Sequence, residues 1–236
     1  MAEQPHFDFK AIHKRILAGE GKTLVDQTFG EGRRLTLTID LEGVPIVAKL
    51  FEYTSKTKSK KGAPWQTEHE ILEQIQGVLR PKSYGFETWV EGDKKTTLYL
   101  REFIQGSMLE RLSSKQFPSV ARYLTKLHQQ GITTNDPYLY NFIKAGEAPV
   151  IIDFGKATKQ PPRSLRHQIL VSRELFKIYR STLNYDATVM KKFWHCYFAE
   201  LEKPTLRKRV FYFFSLRLLS LRQKIRNLGR GKPMRS

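Results

Sequence analysis

Apolar and polar residues alternate along much of the first hundred positions, the period of a strand with one buried face. Val25-Asp26-Gln27-Thr28-Phe29, Leu35-Thr36-Leu37-Thr38-Ile39 and Pro45-Ile46-Val47-Ala48-Lys49-Leu50-Phe51 read as three strands separated by glycine-containing turns. Residues 64–76 carry Trp65, Ile71, Leu72 and Ile75 behind Pro64, a spacing that predicts a helix. Strand patterns return over residues 83–89 and 96–104, joined by the turn residues Glu91-Gly92-Asp93. Together these segments predict an antiparallel sheet with one helix.

Past Gly106 the period lengthens to that of a helix. Residues 118–130 place Val120, Leu124 and Leu127 on one face. Two short apolar runs, Asn141-Phe142-Ile143 and Val150-Ile151-Ile152, flank a turn at Gly146, and from residue 164 on the pattern is mostly helical. The expected class is α+β, with a β-rich N-terminal lobe over residues 1–105, an α-rich C-terminal lobe over 106–202, and a basic segment over 203–236.

Composition narrows the classes. Hydrophobic residues make up 40% and aromatics 12% of the 236 residues, enough for a core, which excludes a disordered chain. The single Cys196 excludes an intramolecular disulfide framework and agrees with a reducing compartment. His6, Asp8, Lys10 and His13 interrupt the first fifteen positions, so no signal peptide is expected there. No segment reaches the roughly 18 uninterrupted apolar residues of a membrane span. A cytoplasmic protein, soluble or peripheral, is expected.

The formal charge is +18, which concentrates polyanions at the surface: nucleic acid, anionic lipid or a phosphorylated substrate. The charge is unevenly placed. No acidic residue follows Glu202, while eleven Lys and Arg fall in the last 34 positions. Lys56, Lys58, Lys60 and Lys61 form a second basic run in a Ser/Thr-rich stretch that reads as a loop.

Candidate chemistry lies in two segments, Asn135-Asp136-Pro137-Tyr138-Leu139-Tyr140-Asn141 and Ile151-Ile152-Asp153-Phe154-Gly155. An Asp five residues before an Asn, on a loop after a helix, can put a carboxylate and an amide oxygen on one cleft. A second Asp at the end of a buried strand adds a fixed negative charge. Magnesium takes hard oxygen ligands, which Asn141 and Asp153 supply, and leaves Asp136 to accept a proton from an attacking hydroxyl. Each segment alone is an ordinary turn; the pair, a hairpin apart, is more specific.

The pair resembles the protein-kinase-like superfamily, in which an Asp-x-x-x-x-Asn loop precedes a hairpin and Asp-Phe-Gly. The resemblance implies a two-lobed fold and the binding of ATP with Mg2+. It implies that Lys49 of Val47-Ala48-Lys49 binds the α- and β-phosphates and that Glu68 pairs with it, Glu70 and Glu73 being weaker choices. Backbone groups from Glu102 to Ile104 would meet adenine, and the amides of Gly30 and Gly32 would cover a phosphate. The chain departs from the superfamily in several places. Gly30-Glu31-Gly32 lacks a third glycine at the usual spacing, Thr134-Asn135 stands where His-Arg is usual, and Tyr138 stands where Ser/Thr kinases have a lysine. No Ala-Pro-Glu-like segment follows Gly155. These departures point from a protein kinase towards a small-molecule or glycolipid kinase.

Leu127-His128, Asp136-Pro137, Asn141-Phe142-Ile143, Ile151-Ile152-Asp153 and Lys156 are similar to the bacterial lipopolysaccharide core heptose kinases, as are Arg173-Glu174-Leu175 and the basic C-terminus. That likeness covers roughly residues 95–185 well. It implies phosphorylation of an inner-core heptose at the cytosolic face of the inner membrane, with the core glycolipid and the anionic membrane surface as partners. The Kdo kinases share much of the pattern. A small kinase-like ATPase associated with tRNA modification is a rival, but no aromatic and basic platform is interleaved on a strand, so nucleic acid is not the expected partner. A pseudokinase binding module is another, set against the retention of Lys49, Asp136 and Asp153.

The tail fits a membrane role. Leu206, Val210, Phe213, Phe214, Leu221, Ile225 and Leu228 recur at three- and four-residue spacing among Arg207, Lys208, Arg222 and Arg226, with Arg217 and Lys224 intruding on the stripe. The other reading is a helix packed on the C-terminal lobe with a basic outer face.

Overall fold

The computed structural model describes residues 7–29, 32–54, 63–109, 115–146, 148–162, 164–181 and 187–201, and of those beyond, 211, 212, 214, 215, 217, 218 and 221. The protein is mixed α+β. The chain divides into two compact units, one of residues 1–74 and 80–105, the other of residues 75–79 and 106–236.

The first unit is built on five antiparallel strands, β1 (Lys22–Phe29), β2 (Gly32–Leu41), β3 (Val44–Thr54), β4 (Ser83–Glu91) and β5 (Lys94–Glu102), in the order β1-β2-β3-β5-β4. Leu41 pairs with Val44, so Glu42 and Gly43 alone make the β2–β3 turn. Both have positive φ, 55° and 82°, as a two-residue primed turn requires, and Gly43 N donates to Asp40 Oδ1 at 2.7 Å.

Strand parity sorts the two faces of this sheet. Ile46, Ala48 and Leu50 of β3, with Leu98 and Leu100 of β5, join a core completed by Ile12 and Ile16. The latter two come from helix α1 (Phe9–Leu17), which the sequence reading did not anticipate. Its N-terminus is capped by Asp8, whose Oδ1 accepts from Lys10 N and Ala11 N, both at 3.0 Å. The opposite parity places Phe51 and Tyr99 against Trp65 of α2 (Pro64–Gln74). Lys49 and Arg101 have this same parity.

The second unit holds α3 (Phe117–Gln129), α4 (Leu165–Ser181) and α5 (Ala187–Glu200) with short strands β6 (Ser107–Met108), β7 (Ile132–Thr133), β8 (Phe142–Ala145), β9 (Ala148–Ile151) and β10 (Thr158–Lys159). α3 buries Val120, Leu124 and Leu127, and Phe117 meets Phe193 of α5 edge-on at 5.8 Å. β6, β8 and β9 form one small sheet, and β7 and β10 another.

Several boundaries differ from the sequence reading. β5 ends at Glu102, leaving Ile104 outside the strand, and Asn141 closes a 3-10 turn (Leu139–Asn141) instead of opening β8. α2 stops at Gln74, and Ile75 belongs to the second unit. The basic run at Lys56, Lys58, Lys60 and Lys61 lies outside the described residues, as do Leu206, Arg207, Lys208, Val210, Phe213, Arg222, Lys224, Ile225, Arg226 and Leu228 of the tail. Of the described tail residues, Tyr212 is buried and rests on Phe198, whereas Phe214, Leu218 and Leu221 are exposed. Burial pushes the Tyr212 phenol up to about 12. Among the described residues no helix is long and apolar enough to cross a membrane.

Candidate functional site

In the first unit, three charged side chains meet on the face of the sheet covered by α2. Lys49 Nζ lies 2.5 Å from Glu68 Oε2, and Arg101 Nε lies 3.3 Å from Glu68 Oε1. All three are buried, with Glu68 only 1% exposed. Their convergence follows from two periods. Lys49 sits two residues along β3 from Val47, the cross-strand partner of Arg101, so the two cations share a face. Glu68 lies on the buried stripe of α2 with Trp65, Ile71 and Leu72.

Two cations thus share one buried carboxylate, each within ion-pair distance of a different oxygen. Lys49 also stands over the Tyr99 ring, 6.0 Å from its centroid. Arg101 was not anticipated as a member of the group, although its parity with Lys49 was present in the strand pattern.

The remaining expected residues of this unit are placed as follows. Glu102 closes β5, donating its N–H to Lys82 O at 2.8 Å and accepting from Lys82 N at 2.9 Å through Oε2. Ile104 is half-buried just beyond the strand. Gly32 begins β2, buried and paired with Phe29, while Gly30 and Glu31 lie outside the described residues.

In the second unit, the residues from both motif segments come together around Asn141. Asn141 Nδ2 donates to Asp136 O at 2.8 Å, and Asn141 O accepts from Ile152 N at 2.9 Å. One side chain and one backbone bond thus tie the Asp136 loop to the end of β9, next to Asp153. With Nδ2 committed to Asp136, the Asn141 Oδ1 oxygen is turned away from that bond. Asp153 Oδ1 accepts from Gly155 N at 3.1 Å.

The Asp136 carboxylate is bracketed by lysines. Lys156 Nζ donates to Oδ2 at 2.6 Å, and Lys177 Nζ lies 3.8 Å from Oδ1. The bond to Asp136 holds the Lys156 ammonium above the ordinary lysine range; burial opposes it, and the Asp136 and Asp153 charges add to it. Tyr138 and Tyr140 stack at 5.4 Å with their rings 13° from parallel, and Lys177 stands over Tyr138. Burial and the nearby Asp136 charge raise the Tyr140 phenol.

A second set of residues fixes this loop from behind; of these, His128 and Glu174 stand out in the sequence only for their likeness to the heptose kinases. Glu174 of α4 is buried, and its Oε1 accepts from Thr134 N at 3.0 Å and from the Thr134 hydroxyl. Its Oε2 lies 3.1 Å from His128 Nε2, and His128 Nδ1 lies 2.6 Å from the Tyr197 hydroxyl. One turn along α4, Lys177 Nζ donates to Asn135 O. Asn135 itself has a φ of 60° and donates through Nδ2 to Lys156 O at 2.9 Å and Thr158 Oγ1 at 3.1 Å. Asn tolerates this left-handed conformation better than most residues, which gives Asn135 a physical reason in place of an arginine.

Chemically, the second unit offers an acceptor carboxylate with two lysine ammonium groups bracketing it, and two oxygen donors of the kind magnesium takes. No protein-family model matches the chain, and no curated protein matches its sequence.

Proposed function

We propose that this protein is an ATP- and Mg2+-dependent kinase of the two-lobed, protein-kinase-like fold, which phosphorylates a sugar hydroxyl of the lipopolysaccharide inner core, a heptose in the first instance. The observation that carries the reading is the pair of bonds at Asn141, which ties the Asp136 loop to Ile152, the residue before Asp153. The five-stranded antiparallel sheet of one unit and the largely helical other are compatible with that fold.

The residues fit the metal. Asn141 Oδ1 and the Asp153 carboxylate are hard oxygen donors, and the Asn141 rotamer is set by its bond to Asp136. Bound there with the nucleotide, magnesium would neutralise charge on the phosphates. Asp136 orients the acceptor hydroxyl and takes its proton. Lys49, held by Glu68 beside Arg101, pairs with the phosphate oxygens. Catalysis of this kind is mostly positioning and electrostatics.

The charge of +18 and the exposed Phe214, Leu218 and Leu221 suit a peripheral place on an anionic membrane face, where a core glycolipid would be presented. Mass spectrometry of core oligosaccharide from cells with and without the gene tests the assignment. The expected result is the loss of one phosphoryl group from a core sugar, and an unchanged core would refute it.

A further inference from the structure

We propose that Lys156 is a catalytic residue of the phosphoryl transfer, binding the non-bridging oxygens of the phosphoryl group as it passes to the acceptor beside Asp136. The inference rests on the kinase reading given above and adds a residue to it. It starts from a conflict of charge. A carboxylate placed to take the acceptor's proton also stands close to a phosphoryl group whose oxygens are negative, and the two repel. A cation shared between them removes the conflict.

Lys156 has the geometry for that part. Its Nζ is 2.6 Å from Asp136 Oδ2, and its side chain is 68% exposed, so the ammonium reaches the carboxylate from the open side. An ammonium carries three donors, and one carboxylate oxygen takes one of them. The Asp136 and Asp153 charges both favour the charged Lys156 ammonium, whose bond to Asp136 sets it beside the proton acceptor.

The other residues near Asp136 are committed elsewhere. Lys177, on α4, is spent on Asn135 O and the Tyr138 ring and stands farther off, at 3.8 Å from Oδ1. Tyr138 is stacked on Tyr140. Lys156 is delivered by the turn after Asp153-Phe154-Gly155, and Asn135 Nδ2 fixes that turn by bonding to Lys156 O. The residue is therefore held by its backbone, while its exposed side chain ends on Asp136 with two further ammonium donors to offer the phosphoryl group.

In the step itself the acceptor oxygen forms the new P–O bond. The bond from phosphorus to the bridging oxygen breaks, its electron pair leaving on ADP, and the acceptor proton passes to Asp136. Lys156 forms and breaks no covalent bond. It donates hydrogen bonds that strengthen as charge moves onto the equatorial oxygens.

The test uses Mg·ADP with and without aluminium fluoride, a mimic of the phosphoryl group in flight, so no acceptor is needed. Titration calorimetry on the full chain is expected to show wild type binding Mg·ADP and gaining affinity when aluminium fluoride is added. Lys156→Met should leave Mg·ADP affinity near wild type and lose about 10- to 100-fold of that gain. Lys156→Arg should keep most of it. A Lys156→Met protein that retains the full gain, or a wild type that binds Mg·ADP but gains nothing from aluminium fluoride, would overturn the proposal. A wild type that binds no Mg·ADP would instead refute the kinase reading itself. Thermal unfolding of the variants, expected to match wild type because the side chain is exposed, separates loss of the interaction from loss of the fold.

Discussion

A single carboxylate oxygen of Glu174 receives both the backbone N–H of Thr134, at 3.0 Å, and the Thr134 hydroxyl, while the other oxygen meets His128. The loop carrying Asp136 is thus anchored from a helix that begins about thirty residues later in the chain. Glu174→Ala would leave a backbone amide, a hydroxyl and an imidazole buried without this acceptor. The expected cost is about 3 kcal/mol or more of folding stability. Urea unfolding measures it, and a midpoint unchanged from wild type would show that the anchor is not under load.

The buried trio Lys49, Glu68 and Arg101 makes an ordered pair of expectations. Glu68→Ala removes the carboxylate that both cations share and should cost about 3–5 kcal/mol. Lys49→Met removes one cation and leaves Glu68 beside Arg101, so it should cost less, while weakening Mg·ATP binding more than tenfold through loss of the proposed phosphate contact. Denaturation midpoints and nucleotide titration on the two variants check the ranking; the reverse order of stability would contradict the shared-carboxylate arrangement.

A pH effect is expected from His13 on α1, whose ring meets Trp89 edge-on at 4.8 Å. Burial holds its imidazole below the ordinary value of 6.5, against the pull of Glu52 and Glu91 and with the help of Lys94. The unfolded chain therefore takes up this proton more readily than the folded one. The His13 contribution is intact above 6.5 and declines as pH falls from there towards the lower folded value. Thermal unfolding over this range should show wild type losing stability with acid more steeply than His13→Phe. Identical slopes would show that His13 is not responsible.

How far the sequence reveals this arrangement depends on the range of the interaction. The alternation through Ile46-Val47-Ala48-Lys49-Leu50-Phe51 and the stripe through Trp65 and Leu72 are local, and they suffice to predict a strand and a helix; the pairing of Lys49 with Glu68 is implied only by the family resemblance. Helix α1 was missed because only Ile12 and Ile16 of its nine residues are buried, a stripe too thin to stand out among His13, Lys14 and Arg15. The Glu174–Thr134 and Lys156–Asp136 contacts span 40 and 20 residues, and no periodicity within either segment encodes the partner. Lys156 stands out in the sequence only for its likeness to the heptose kinases, and its bond to Asp136 is visible only in the fold.

Membrane association makes a separate expectation. Phe214, Leu218 and Leu221 are exposed in a segment whose flanking sequence is rich in arginine. Replacing all three with Ser should weaken flotation with vesicles containing anionic lipid by about tenfold or more, since each apolar side chain inserted contributes on the order of 1 kcal/mol or more. Added salt should weaken wild-type binding too, through the surface potential. A triple variant that floats as wild type does would show that these side chains do not enter the membrane.

The most direct measurement is transfer of the labelled γ-phosphoryl group from Mg·ATP to heptose-containing core oligosaccharide, by wild type and by Asp136→Asn side by side. The Asn side chain keeps the shape of the loop but accepts no proton. Wild type is expected to label the sugar, and Asp136→Asn to do so about 10²- to 10⁴-fold more slowly with Mg·ATP affinity nearly unchanged. Absence of label with wild type, or a variant that labels the sugar at the wild-type rate, would contradict phosphoryl transfer at Asp136.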